Sequence, residues 1–298
     1  MSSESKEGII ALCGSLLGLT SLSVGLRFYV RKRQRAPIML DDWCAVASLA
    51  GFIGAAATSI HMVRHRIVGH PGSPEIAGEY SAKLQIAWDV LTLTALSFSK
   101  LSALFFYRRI FYLGGGQSHL NIVVLITAAI IVVWMTIFQF LTGFQCGTHF
   151  TALWDGTYLE YCTISFPFLI GLAISDFLLD VWIVSIPIPS VLRLNAPWPK
   201  KLAVLGVFLL SLVCVYASAN RVAVFAPLIK AGPEYLINFD YERAISNVVF
   251  YVDMEAGISL LAVNLPTLWF LGTVIKPHIR TLSTRRLSGR SVAQFMLS

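Results

Sequence analysis

Charge is scarce in this chain. Asp, Glu, Lys and Arg together make up 13% of its 298 residues, where an ordinary soluble domain carries about 25%. Hydrophobic residues reach 56%, and mean hydropathy is +0.71. The sequence also lacks a glycine-rich phosphate loop, a His-Glu-x-x-His zinc motif and a nucleophile elbow. These absences exclude a soluble domain of usual composition, and they leave no recognisable catalytic constellation.

What fills the chain instead is a set of long apolar stretches. They run over Gly8–Leu26, Trp43–Val63, Ile86–Tyr107, Leu120–Phe144, Phe166–Pro189, Leu202–Ile229 and Asn247–Ile275. A helix needs roughly 20 mostly apolar residues to cross the hydrocarbon core. Backbone groups in lipid must bond within their own segment, so stretches of this length read as spanning helices. The expectation is an all-α, seven-helix transmembrane bundle over residues 8–276, with a short extension over 1–7 and a basic tail over 277–298. The first stretch is flanked on its C-terminal side by Arg31-Lys32-Arg33-Gln34-Arg35 and has no small-residue cleavage site, so it reads as a retained helix rather than a signal peptide.

Lys and Arg set the expected orientation. Fourteen of the 23 fall in the first, third and fifth loops and the tail, including Arg31, Lys32, Arg33, Arg108, Arg109 and Lys276. The N-terminus is expected outside and the tail in the cytoplasm, most simply at the plasma membrane. The net charge of +7 then matches an anionic inner leaflet, and no nucleic-acid partner is expected. Cys146 and Cys162 share the loop between helices four and five, which carries no Lys or Arg. An exoplasmic loop permits a disulfide between them; two separate thiols are the alternative. Cys13, Cys44 and Cys214 lie in or beside apolar helices and read as packing residues.

Several motifs then line up together: Arg27-Phe-Tyr-Val-Arg31 before Leu40-Asp41-Asp42-Trp43, and Lys100-Leu-Ser-Ala-Leu-Phe-Phe-Tyr-Arg-Arg-Ile-Phe111. Trp154 lies between the paired cysteines, Asp180 precedes Pro187-Ile-Pro189, and Arg221, Asp240, Glu255 and Pro266 follow. With these residues the chain resembles the fungal seven-helix rhodopsin-domain membrane proteins, a receptor-like group that includes a satratoxin-cluster protein. Asp176 stands where that family often has Asn, and Tyr251 where it often has Trp. The resemblance implies the architecture and a receptor-like role. It implies no retinal: a Schiff base needs a lysine within helix seven, and Lys276 lies beyond its inner end.

Ionisable residues at bilayer depth are costly and read as functional candidates. Here they are Asp89, Lys100, Asp176, Asp180, Arg221, Asp253 and Glu255. Depth along each helix, on the order of 10–15 Å from the nearer end, matches Lys100 with Asp180 and Arg221 with Glu255. Asp176 shares a helix face with Asp180 and is left as the unpaired acid. These residues form the candidate interior polar site, either as a ligand or proton cavity or as fasteners between helices. His61 and His65 stand at metal-ligand spacing near one helix end, but the interfacial reading is simpler and no metal is expected. Tyr107-Arg108-Arg109 is a candidate coupling surface for a heterotrimeric G protein, with plain positive-inside anchoring as the alternative. Ser283, Ser288 and Ser291 lie in the tail and suit either phosphorylation or leaflet binding. Asp41 and Asp42 suit the N-terminus of helix two, where the macrodipole favours negative charge.

Three functions compete. One is a surface sensor with a small-molecule cavity among helices three, five, six and seven. The others are a transporter or accessory protein for a secondary metabolite, and an embedded tailoring enzyme using Asp176, Asp180 or Glu255 as acid or base.

Overall fold

The computed structural model describes residues 5–69, 78–111, 118–155, 157, 161–162, 165–189, 198–231 and 243–265. Its helices are α1 (Lys6–Arg33), α2 (Leu40–Arg64), α3 (Glu79–Phe111), α4 (Ser118–Phe144), α5 (Ser165–Ser185) and α6 (Trp198–Ala231), followed by α7 (Arg243–Leu265). A short 3-10 turn covers Phe150–Leu153, and no strand occurs among the described residues. Among the described residues seven helices are long and apolar enough to span a membrane. The expected extension of the seventh helix to Ile275, and with it Asp240, Pro266, Lys276 and the basic tail, lies outside the described residues.

Local chemistry explains where the first helices begin and end. Ser5 Oγ accepts from the Gly8 N–H at 3.2 Å, Glu7 sits in the first turn of α1, and Arg31, Lys32 and Arg33 fill its last turn. Cap and charges therefore complement the α1 dipole at both ends. At the start of α2, Asp42 Oδ2 accepts from the Met39 N–H at 3.1 Å. The helix thus begins ahead of the apolar run, because its first turn is acidic rather than hydrophobic. Helix α5 stops at Ser185, short of the expected Pro189. Residues just before a proline are biased away from helical geometry; Pro187 imposes that on Ile186, and a turn at 186–187 interrupts the helix before Ile188 and Pro189 are helical again.

The bundle is organised around α3, which packs against α2, α4 and α5, while α1 lies on α2 and α5 on α6. One apolar cluster joins Ile9 and Leu16 of α1, Phe52 and Met62 of α2, Trp88 and Leu96 of α3, and Val249 and Val252 of α7. A second joins Leu104 and Tyr107 of α3 to Val124 and Ile131 of α4 and Ile183 of α5. Outside these clusters, Ile122, Ile126, Ile130, Val133, Ile137 and Phe140 of α4 are all exposed. Their helical spacing makes one continuous apolar stripe, the surface expected against lipid rather than water.

Close approach of α2 and α3 depends on Gly51. A Cβ there would meet Ala95 N at 3.0 Å and Leu91 O at 3.1 Å, and next to it Ser48 Oγ donates to Ala95 O at 2.8 Å. Gly51→Ala is therefore expected to cost about 1–3 kcal/mol by overpacking backbone. Gly14→Ala, with nothing within 4 Å, is expected to gain about 0.5–1 kcal/mol from helix entropy. Thermal unfolding of the two variants in lipid nanodiscs checks this; equal shifts would contradict the close contact.

At the other end of α3, Cys146 and Cys162 form a disulfide. Both are buried with Ala152 and Leu153 against Ile86 of α3 and Trp154, and Lys83 Nζ stands 5.3 Å from the centre of the Trp154 ring. The bridge and this cation–π contact tie the loop to the mouth of the bundle. In the same loop, Thr157 donates its hydroxyl at 2.5 Å and its N–H at 3.0 Å to Asp155 Oδ1, which holds the Asp155 carboxyl below the ordinary range. Cys13, Cys44 and Cys214 are free and buried.

Candidate functional site

Five ionisable side chains from four helices meet inside the bundle: Lys100 of α3, Asp176 and Asp180 of α5, Arg221 of α6 and Glu255 of α7. Each is at least nine-tenths buried. Lys100 Nζ donates to Asp180 Oδ1 and also stands 3.1 Å from Asp176 Oδ1 and 3.7 Å from Glu255 Oε1. Arg221 Nη2 donates to Asp176 Oδ2, while its Nη1 is 3.8 Å from Glu255 Oε2. Three acids against two bases give the group a formal charge of −1 when all are ionised.

Lys100 does lie against Asp180, as depth suggests, but Asp176 is not an unpaired acid. It is the node shared by both bases, and it takes the hydrogen bond from Arg221 that depth alone assigns to Glu255. The physical reason is reach. Asp176 and Asp180 are one helical turn apart, about 6 Å, and extended Lys and Arg side chains bridge that interval. Two expected pairs therefore fuse into one network, and Glu255 becomes the member held only at longer range.

Single carboxylate oxygens of Asp176, Asp180 and Glu255 lie within 4.8 Å of one another, a spacing that also suits a metal ion. Lys100 Nζ lies within 4.0 Å of all three carboxylates. Its ammonium thus fills the role that a cation would take among these ligands.

The network separates two cavities bounded by the same four helices. One, of about 60 Å³, is lined by Ser99, Tyr107, Asp180, Ser211, Cys214 and Ser259, with Lys100 at its wall. It lies toward the end of the bundle that carries Arg31–Arg33 and Arg108–Arg109. The other, of about 50 Å³, is lined by Trp88, Asp89, Thr92, Arg221, Phe225 and Val248, toward the disulfide end. Each has room for a few waters. Asp253, by contrast, belongs to the apolar core between α1, α3 and α7, where Cys13 Sγ and Trp88 Nε1 donate to its two oxygens at 3.3 and 3.4 Å.

A second charge cluster sits at the basic end. Arg27, fully buried, donates from Nε to Asp42 Oδ1 and from Nη2 to Asp41 Oδ2, both at 2.6 Å. Its Nη1 reaches Val263 O and Asn264 Oδ1 of α7 at 3.2 Å. Arg31 repeats the pattern at 3.2 Å to Asp42 and 3.1 Å to Asp41. Asp41 and Asp42 thus do more than complement the α2 dipole, because they bind α1 through Arg27 and Arg31 and α3 through Arg109, while Arg27 carries the link on to α7. The available sequence signal was Arg27 and Arg31 on one face of a helix, followed across a short loop by two adjacent acids.

The two arginines singled out for coupling are engaged within the molecule. Arg108 Nε donates to Asn121 Oδ1 of α4 at 2.8 Å. Arg109 Nη1 approaches Asp41 at 3.3 Å and Asp42 at 3.5 Å, and its Nη2 donates to Pro37 O at 3.3 Å. Of the candidate metal histidines, His61 and His65 lie side by side with ring centres 4.4 Å apart. His61 Nε2 stands 2.6 Å from the Tyr80 hydroxyl of α3.

No solved structure matches this chain. A polyenoic acids biosynthesis gene cluster protein, Ba17b of Metarhizium anisopliae, is 27% identical over 200 residues, which cover 64% of this chain and 53% of that protein. The chain thus spans about half the length of that relative. A family model described as the fungal rhodopsin domain matches residues 26–273. That interval holds α2 to α7, the end of α1, the disulfide and every member of both charge clusters, and the chain belongs to the fungal rhodopsin domain family.

Proposed function

We propose that this protein is a receptor-like, multi-pass membrane protein in which a small molecule held between α3, α5, α6 and α7 changes the state of the buried charge network. The observation that carries this reading is the position of the network. It links all four helices at one level and has a cavity on either side. A ligand entering one cavity alters the balance of ion pairs, and long side chains transmit that change to helices it does not touch. Packed interiors respond to such changes by switching between discrete arrangements.

In this reading the disulfide loop faces outside and the arginine-rich end faces the cytoplasm, at the plasma membrane, as the positive-inside rule directs. Arg108 and Arg109 are the contact for a heterotrimeric G protein. Their ties to Asn121 and Asp41 keep them occupied in the resting arrangement. Retinal has no part, since no lysine lies between Arg243 and Leu265.

The latch can be tested without knowing the ligand. Asp180→Asn keeps the shape of the side chain and removes its charge, so Lys100 is left to Asp176 and Glu255. Nucleotide exchange by a co-reconstituted heterotrimeric G protein in lipid vesicles is expected to rise severalfold above the parent, and to fall back when Arg108→Ala is added. Exchange at the level of empty vesicles for both the parent and Asp180→Asn would sink the receptor reading.

The gene-cluster name of the Metarhizium relative favours a second reading, in which the protein transports or tailors an apolar metabolite. Asp176, Asp180 or Glu255 would then serve as acid or base. Metabolite turnover lost in Asp176→Asn and kept in Arg108→Ala would select it.

A further inference from the structure

We infer that the cavity at the basic end binds a small organic ammonium ion, a primary or secondary amine in its protonated form, against Asp180. This rests on the reading that the four-helix region holds a small molecule, and it names the chemistry of that molecule.

Hydrogen-bond accounting points the same way as charge. Within the network Asp176 Oδ1, Asp180 Oδ2 and both oxygens of Glu255 have no hydrogen-bond donor, whereas a single donor, Arg221 Nε, has no acceptor. Three of these acceptors still have a basic group at ion-pair range: Lys100 lies 3.1 Å from Asp176 Oδ1 and 3.7 Å from Glu255 Oε1, and Arg221 Nη1 lies 3.8 Å from Glu255 Oε2. Among the described residues Asp180 Oδ2 has no basic group at ion-pair range, since Lys100 is bonded to the other oxygen. Buried acceptors without donors are rare in folded proteins and call for an explanation. The group carries a formal charge of −1, so an anionic ligand would deepen both deficits. A cation bearing N–H donors offsets the charge and brings donors to Asp180, the one acid of the network that lines the cavity.

The cavity wall extends the argument. Asp180 lines it together with Ser99, Ser211 and Ser259. The serine hydroxyls already donate, to Leu96 O at 2.8 Å, Val207 O at 2.9 Å and Ala256 O at 3.0 Å, and Ser259 Oγ also stands 3.0 Å from Ser99 Oγ, which occupies one lone pair of that couple. What they still offer a ligand is oxygen lone pairs, which again ask for a donor. The remaining wall is apolar, including Phe106, Ile183 and Val263, and suits a short hydrocarbon body. The acceptor surplus selects an ammonium with N–H groups over a quaternary ammonium, which has none. A volume of about 60 Å³ in a partly open cavity suits a short chain whose tail leaves through the opening.

The test uses the full chain in lipid nanodiscs, with empty nanodiscs subtracted for partitioning, and three probes of equal size: n-butylammonium, 1-butanol and propanoate. Binding is followed by saturation-transfer NMR. The expected result is saturable binding of n-butylammonium, about tenfold or more tighter than 1-butanol because its hydrogen bonds are charged, and no binding of propanoate. Ser211→Phe fills the cavity from α6 and removes no charge from the network; it is expected to abolish binding while thermal unfolding stays near the parent. Asp180→Asn is expected to bring ammonium and alcohol close to parity. Saturable, Ser211-dependent binding in which 1-butanol equals the ammonium, or propanoate exceeds it, would overturn the ammonium assignment and leave a ligand cavity in place. Absence of Ser211-dependent binding for all three probes would overturn the ligand cavity itself.

Discussion

Arg221→Leu is expected to lower the stability of the folded bundle by about 3–5 kcal/mol, the cost of stranding a buried partner. Arg221 is 5% exposed and supplies the hydrogen bond to Asp176 as well as the longer contact to Glu255. Its removal takes the network from a formal −1 to −2 in a region where water cannot screen the excess. Desolvated like charges at this separation cost far more than at a surface. Leucine fills much of the lost volume, so the loss reports charge rather than a void. Thermal unfolding in nanodiscs, with the yield of folded protein, measures it. A loss within about 0.5 kcal/mol, the usual range for a surface substitution, would mean that Arg221 is solvated.

Arg27→Leu is expected to cost a similar amount, about 3–5 kcal/mol, for a different structural reason. Arg27 joins three helices with one planar group: Asp41 and Asp42 of α2 on one side, Val263 and Asn264 of α7 on the other. Losing it leaves two adjacent carboxylates with Arg31 and Arg109 alone, both at longer range. Arg27→Lys is expected to recover little. An ammonium keeps the charge but cannot present the fork that reaches two acids and α7 together. Unfolding of Arg27→Lys close to the parent would show that charge alone suffices and that the fork geometry is incidental.

The spans were legible because hydrocarbon thickness imposes one length on every crossing segment, and length and apolarity are written directly in the chain. The paired cysteines were legible for a related reason, since a loop without Lys or Arg reads as exoplasmic and there a disulfide forms. Lys100 and Asp180 were legible as members of a buried site because charge in an apolar run is conspicuous. Their partners were only half legible. Depth gives position along the bundle axis but not the reach of a side chain across a turn, so Asp176 looked unpaired although it lies between two bases. The Arg27 cluster was hidden for another reason. Asp41 and Asp42 have a sufficient local explanation at a helix start, and nothing in their own segment shows that α1 and α3 converge on them, or that Arg27 carries the link on to α7. The end of α5 turned on Pro187, whose turn outweighed the apolar run that continues to Ile188.

The most direct test of the buried charges as one network is a pair of double-mutant cycles on thermal unfolding in nanodiscs, Arg221→Leu with Asp176→Leu and Arg221→Leu with Glu255→Leu. The expected outcome is strong coupling in both, toward the upper part of the roughly 0.5–3 kcal/mol range for contacting residues, and larger for Asp176, which takes the hydrogen bond. Additive losses in both cycles would contradict the network, and coupling confined to Glu255 would contradict the central place of Asp176 within it.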